Sequence, residues 1–97
     1  MKTAQPPWPK TLSSRLEVRG VPGTFLEERW GPPHFKDDSA GGLEFWGFEL
    51  DDGSLTVLEY FTAFEALKVS STSTDVALLV STFSLSGFFV SEFVPFT

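Results

Sequence analysis

The chain carries one histidine, His34, with two carboxylates close behind it, Asp37 and Asp38, and a second acidic pair at Asp51 and Asp52. A histidine beside a carboxylate is the raw material of a general base, and both residue types ligate metals. The spacing supports neither role. A zinc site takes three or four ligands, and this chain has a single histidine and no cysteine. The aspartates do not follow the ligand spacing of a calcium loop. A hydrolase triad would have to run through His34, and no serine stands in a Gly-x-Ser-x-Gly setting. No glycine cluster makes a phosphate cradle. The expectation is therefore no catalytic residue, no metal ligand and no cofactor. Asp37 and Asp38 read as loop residues, and Asp51-Asp52-Gly53 as turn chemistry. A small-ligand or enzymatic domain using His34 and the nearby aspartates stands as an alternative.

What the residues offer instead is binding chemistry. Thirteen acids against seven bases give a formal charge of −6, and 15% of the residues are aromatic. So acidic a chain is ill suited to neutralising phosphates, which argues against nucleic acid as a partner. The charge is also divided unevenly. Residues 1–36 hold six of the seven bases and three acids, a charge of +3. Residues 37–97 hold Lys68 alone against ten acids, a charge of −9. Either the basic segment packs beside the acidic one and offsets it, or an acidic face steers a basic protein partner. The candidate partner-binding residues are Glu44, Trp46, Glu49, Asp51, Asp52, Glu59, Tyr60 and Glu65. Acids would set the on-rate and aromatics the affinity. The Phe-rich end supplies a second candidate surface. Phe88, Phe89, Phe93 and Phe96 are an expected homo-oligomer interface, since a short chain cannot easily hide so many rings.

These residues must be positioned by a small number of elements. Residues 1–10, with three prolines and no periodicity, read as a flexible arm before one globular domain over residues 11–97, and no apolar core marks a secretory signal. Trp8 stands out in that arm as a ring able to dock on the body of the protein or on a partner. Residues 12–19 fit either a strand or a helical turn. Thr24 and Glu27 match a capping box, predicting a short helix over residues 25–30 with both Glu27 and Glu28 in its first turn and Gly31 as its C-cap. Residues 43–50 and 55–62 read as strands joined at Asp52-Gly53, and residues 66–71 as a third. Apolar residues occur on both parities of these strands, so both faces are expected to be covered. Ser73 or Thr74 would cap a second helix whose stripe is Val76, Leu79, Val80 and Phe83. Residues 88–94 read as a last strand or extended segment. The predicted fold is α+β, an antiparallel meander of three to four strands with two short helices packed on it. The uncharged run at residues 76–91 is too short and too polar for a membrane span of about 20 apolar residues, and a cytoplasmic protein is expected.

One stretch has a familiar look. Arg19-Gly20, Leu26 to Trp30-Gly31-Pro32-Pro33, Gly42-Leu43-Glu44-Phe45-Trp46-Gly47-Phe48 and Val57-Leu58-Glu59-Tyr60 together resemble small bacterial immunity proteins of polymorphic toxin systems. That resemblance implies a non-enzymatic inhibitor that blocks an enzyme through acidic and aromatic contacts. It transfers no individual functional residue.

Overall fold

A computed structural model of the chain describes residues 1–93. In chain order the strands are β1 (Lys2–Thr3), β2 (Ser13–Arg19), β3 (Phe35–Asp37), β4 (Leu43–Glu49), β5 (Leu55–Phe61), β6 (Ala66–Ser71) and β7 (Phe89–Glu92). The helices are α1 (Gly23–Trp30), between β2 and β3, and α2 (Val76–Thr82), between β6 and β7. The strands form one antiparallel sheet in the order β1-β4-β5-β6-β2-β7, with β3 also on β4. This corrects the expected three- to four-stranded meander: among the described residues the sheet has seven strands. The β4-β5-β6 meander is present, but four strands are added around it. Two of them, β1 and β3, hold two and three residues, too few for a period to register, and β7 falls inside residues 88–94, where a strand or extended segment is expected. The fourth, β2, is set as a strand by its two neighbours rather than by its weak alternation.

Register explains which residues form the core. Leu16 lies opposite Val69, Val69 opposite Leu58, and Leu58 opposite Trp46. The next row on that face is Val18, Leu67, Tyr60 and Glu44. All of these except Glu44 are buried, and both helices lie on them through Leu26, Leu79 and Phe83. Rings bridge the layers: Trp30 meets Phe48 at 5.2 Å and Phe83 at 5.6 Å. The one buried polar pair on the face, Thr56 and Ser71, is satisfied internally by a 2.8 Å hydrogen bond.

The helix ends depart from the predicted chemistry. α1 starts one residue before Thr24, with Pro22 as N-cap and no side-chain cap, so Thr24 and Glu27 make no capping box and Glu27 and Glu28 stand beyond the first turn. Gly31 is the C-cap, at φ +76, and donates to Glu27 O. α2 is capped by Asp75, whose carboxylate accepts from Leu78 N at 3.0 Å, not by Ser73 or Thr74. α2 has seven residues, and no helix among the described residues is long and apolar enough to cross a membrane.

The two faces are covered differently. Helices cover one, and the N-terminal arm crosses the other at Gly47. Ala4 donates its amide to Gly47 O at 2.8 Å, and the Trp8 indole folds back onto Ala4 O and lies 6.1 Å from Phe45. A Cβ at position 47 would collide with both the indole and the Ala4 carbonyl, so the close crossing requires glycine there.

Candidate functional site

Residues on the face opposite the helices come from the other parity of each strand. One row runs Arg19, Ala66, Phe61, Leu43, and the next runs Glu17, Lys68, Glu59, Phe45. Ala66 is the smallest side chain on its row. It floors a groove of about 330 Å³ whose walls are Phe61, Phe64 and Phe93 and whose rim carries Arg19, Lys68 and Glu17. The turn after β5 throws Phe64 outward, where 79% of it is exposed. That turn is held by Phe64 N donating to Phe61 O and Val21 N donating to Glu65 O. Lys68 Nζ stands 5.9 Å from the centre of the Phe61 ring and 6.0 Å from that of Phe93, so its charge is lodged between two π faces. Arg19 is paired with Glu17 at 3.0 Å. The groove thus joins apolar walls to a mixed-charge rim.

The expected acidic surface is not gathered into one place. Asp51 and Asp52 lie at the β4–β5 turn with Glu49 beside them, whereas Glu65 lies at the far end of β5, roughly 23 Å away at 3.3 Å per strand residue. Glu44 is on the helix-side face, paired with Lys36 at 3.6 Å and largely covered. Glu59 is on the opposite face beside Lys68. Asp51 is met by the terminal amine at 2.7 Å, and Asp52 accepts from Ser54 N and Oγ. The Ser54 hydroxyl and amide hold the Asp52 carboxyl below its usual range, and Ser39 does the same for Asp37. Basic and acidic segments interleave: Lys2 lies opposite Glu49, Lys36 pairs with Glu44, and Lys68 lies opposite Glu17.

Two of the expected partner-binding aromatics are inside the protein. Trp46 is fully buried and Tyr60 is 2% exposed. Each uses its polar tip to hold one end of α1: Tyr60 OH donates to Val21 O at 2.6 Å, and Trp46 Nε1 donates to Gly31 O at 3.1 Å. Burial, with Glu65 and Glu44 adding negative charge nearby, pushes the Tyr60 hydroxyl above its ordinary range. Among the phenylalanines expected at an interface, Phe88 instead packs edge-on against Phe25 of α1 at 4.9 Å. Phe89 is 82% exposed and Phe93 is also exposed. Phe96 lies outside the described residues. Sequence reasoning missed Phe61, Phe64 and Ala66. The available signal was Glu59, whose parity marks the uncovered face and places Phe61 on it.

His34 has a structural task. β3 and β1 divide the outer edge of β4 between them; Ala4, just after β1, takes the Gly47 carbonyl, and the Gly47 amide is left without a backbone partner. His34 Nδ1 accepts the Gly47 amide at 2.9 Å and fills the gap in the ladder. The ring is therefore neutral with its proton on Nε2, and burial lowers its pKa. Asp37 is occupied as the cap of the next turn, accepting from Ser39. Among the described residues no group of three or more His, Asp or Glu side chains converges as a metal site would require. Compared with protein-family models, with curated proteins and with solved structures, the chain finds no match.

Proposed function

We propose that this chain is a non-enzymatic protein-binding module, an inhibitor of the immunity type, that takes a basic partner surface onto the sheet face opposite its helices. The observation carrying this reading is the groove over Ala66, with Phe64 almost wholly exposed on its wall. Exposed rings around a hollow are the features on which binding hot spots are built. The partner inserts an apolar side chain between Phe61, Phe64 and Phe93. The formal charge of −6 adds long-range attraction for a basic protein, with Glu49, Asp51, Asp52, Glu59 and Glu65 spread around the molecule rather than focused on one face.

The test is capture from the source cell, identification of the bound protein, and kinetics with that purified protein. Phe64→Ala should weaken binding by roughly 30-fold, the scale of one hot-spot ring, through faster dissociation. Replacing Glu49, Asp51 and Asp52 by their amides should slow association and flatten its salt dependence. Binding indifferent to Phe64→Ala, or an association rate unmoved by salt, would overturn the reading.

A further inference from the structure

We infer that β7 is a self-pairing edge through which two copies of this chain join their sheets about a two-fold axis at Ser91. The starting observation is the open side of β7. It pairs with β2 on one side, and among the described residues nothing pairs with the other. The strand has no proline or lysine between Phe89 and Phe93, and its only guards are its four-residue length and the charge of Glu92.

The direction of the ladder fixes which groups are free. Phe93 donates its amide to Arg15 O, so in the antiparallel alternation Phe89, Ser91 and Phe93 turn their backbone groups to β2. Val90 and Glu92 therefore present N–H and C=O to the open side. A second copy running antiparallel satisfies all of them in one register: Val90 opposite the copy's Glu92, Glu92 opposite its Val90, and Ser91 opposite Ser91. Four backbone hydrogen bonds result, two from each end of the axis.

Side chains fit the same register. Ser91 falls at the close, non-hydrogen-bonded pair, where Cα atoms approach to about 4.5 Å and a small residue is wanted. Phe89 falls opposite the copy's Phe93 on the face away from the helices, and symmetry repeats that ring pair. This would cover Phe89, which is 82% exposed in the single chain. Glu92 meets Val90 rather than a second Glu92, so no like charges are opposed. Around the edge, Arg15, Arg19 and Lys68 against Glu17 and Glu92 leave near neutrality in a chain of formal charge −6. A copy can approach there without strong repulsion. The pairing uses up β7 in both copies, so the assembly closes at two.

The inference rests on the open edge of β7 and shares one residue with the groove, Phe93, so the variants that test it are placed at Ser91 and Glu92. Sedimentation velocity from micromolar to millimolar chain should show a monomer–dimer equilibrium. Amide exchange at Val90 and Glu92 should slow as concentration rises. Ser91→Lys places two charges face to face at the axis, and Glu92→Pro removes an outward-facing donor together with the Glu92 carboxylate while sparing the backbone bonds to β2. Each should raise the dissociation constant by about tenfold or more. Phe64→Ala, which touches the groove alone, should leave dimerisation unchanged. Circular dichroism checks that each variant is folded; should Glu92→Pro unfold, Ser91→Lys and the exchange measurement still decide. A monomer throughout, assemblies larger than two, or a Ser91→Lys chain that dimerises as the parent does would overturn it.

Discussion

Replacing Gly47 with alanine tests whether the N-terminal arm is part of the folded structure. In a strand interior free of neighbours this change should stabilise by roughly 0.5–1 kcal/mol, because glycine loses more backbone freedom on folding. Here the added Cβ collides with the Trp8 indole and the Ala4 carbonyl, so the arm has to lift. Trp8 is half-buried, and burying a whole large side chain contributes roughly 1.5–3 kcal/mol, so releasing it costs about 1–1.5 kcal/mol. The hydrogen bond from Ala4 to Gly47 adds about 1 kcal/mol. The arm's release therefore costs about 2 kcal/mol, and the net loss is about 1–1.5 kcal/mol. For a domain of this size that lowers Tm by roughly 5–10 °C. Thermal unfolding followed by circular dichroism reads the shift, and tryptophan emission should move to the red as Trp8 meets water. In a Trp8→Ala background the cost of Gly47→Ala should shrink, because the indole no longer obstructs. A rise in Tm, with emission unchanged, would refute the docked arm.

Two further outcomes follow from polar contacts in the structure. His34 is held neutral, with its pKa lowered, so the folded state binds a proton less readily than the unfolded chain. Its contribution is fully present above the unfolded value of about 6.5 and is lost as pH falls below it, as Nδ1 ceases to accept from Gly47. Denaturant titrations from pH 8 to pH 5 should show stability declining below about pH 6.5, and His34→Gln should remove that step; a parent protein with a flat profile would contradict the assigned tautomer. Tyr60→Phe leaves the Val21 carbonyl without its donor at a buried site and should cost about 1–3 kcal/mol, read as a lower urea midpoint at unchanged slope. A variant as stable as the parent would show that Tyr60 does not anchor the start of α1.

How far the fold could be read from the chain depends on how local each determinant is. Asp52-Gly53 fixes its hairpin through Gly53 at φ +84 and the Asp52 carboxylate, both within four residues, and β4, β5 and β6 fall close to where they were expected. The stripe on α2 is likewise local, and Leu79 and Phe83 are buried as its spacing requires. The capping box fails because Pro22 already fixes an extended residue at the helix entry, so α1 begins two residues before the expected start at Phe25. Trp46 and Tyr60 were placed outside because both parities of β4 and β5 are apolar. Gly47 and Glu59 decide the matter: neither fills a core, and both lie on the parity opposite Trp46 and Tyr60. The roles of His34 and Ala66 were not legible, because each is defined by partners from distant strands.

The position of β2 has a consequence for how the molecule is made. It is the first long strand of the chain, yet both of its neighbours, β6 and β7, come after every other strand of the sheet. Emerging from a ribosome, β2 has two bare edges and no strand to pair with until most of the chain has followed. The β4–β5–β6 meander can assemble from near neighbours, but Leu16 and Val18 reach their places only when the late strands arrive. Closure of the sheet therefore waits for β6 and β7 rather than proceeding by stepwise accretion from β2, and the interval before they arrive is when this Phe-rich chain is most exposed to mispairing.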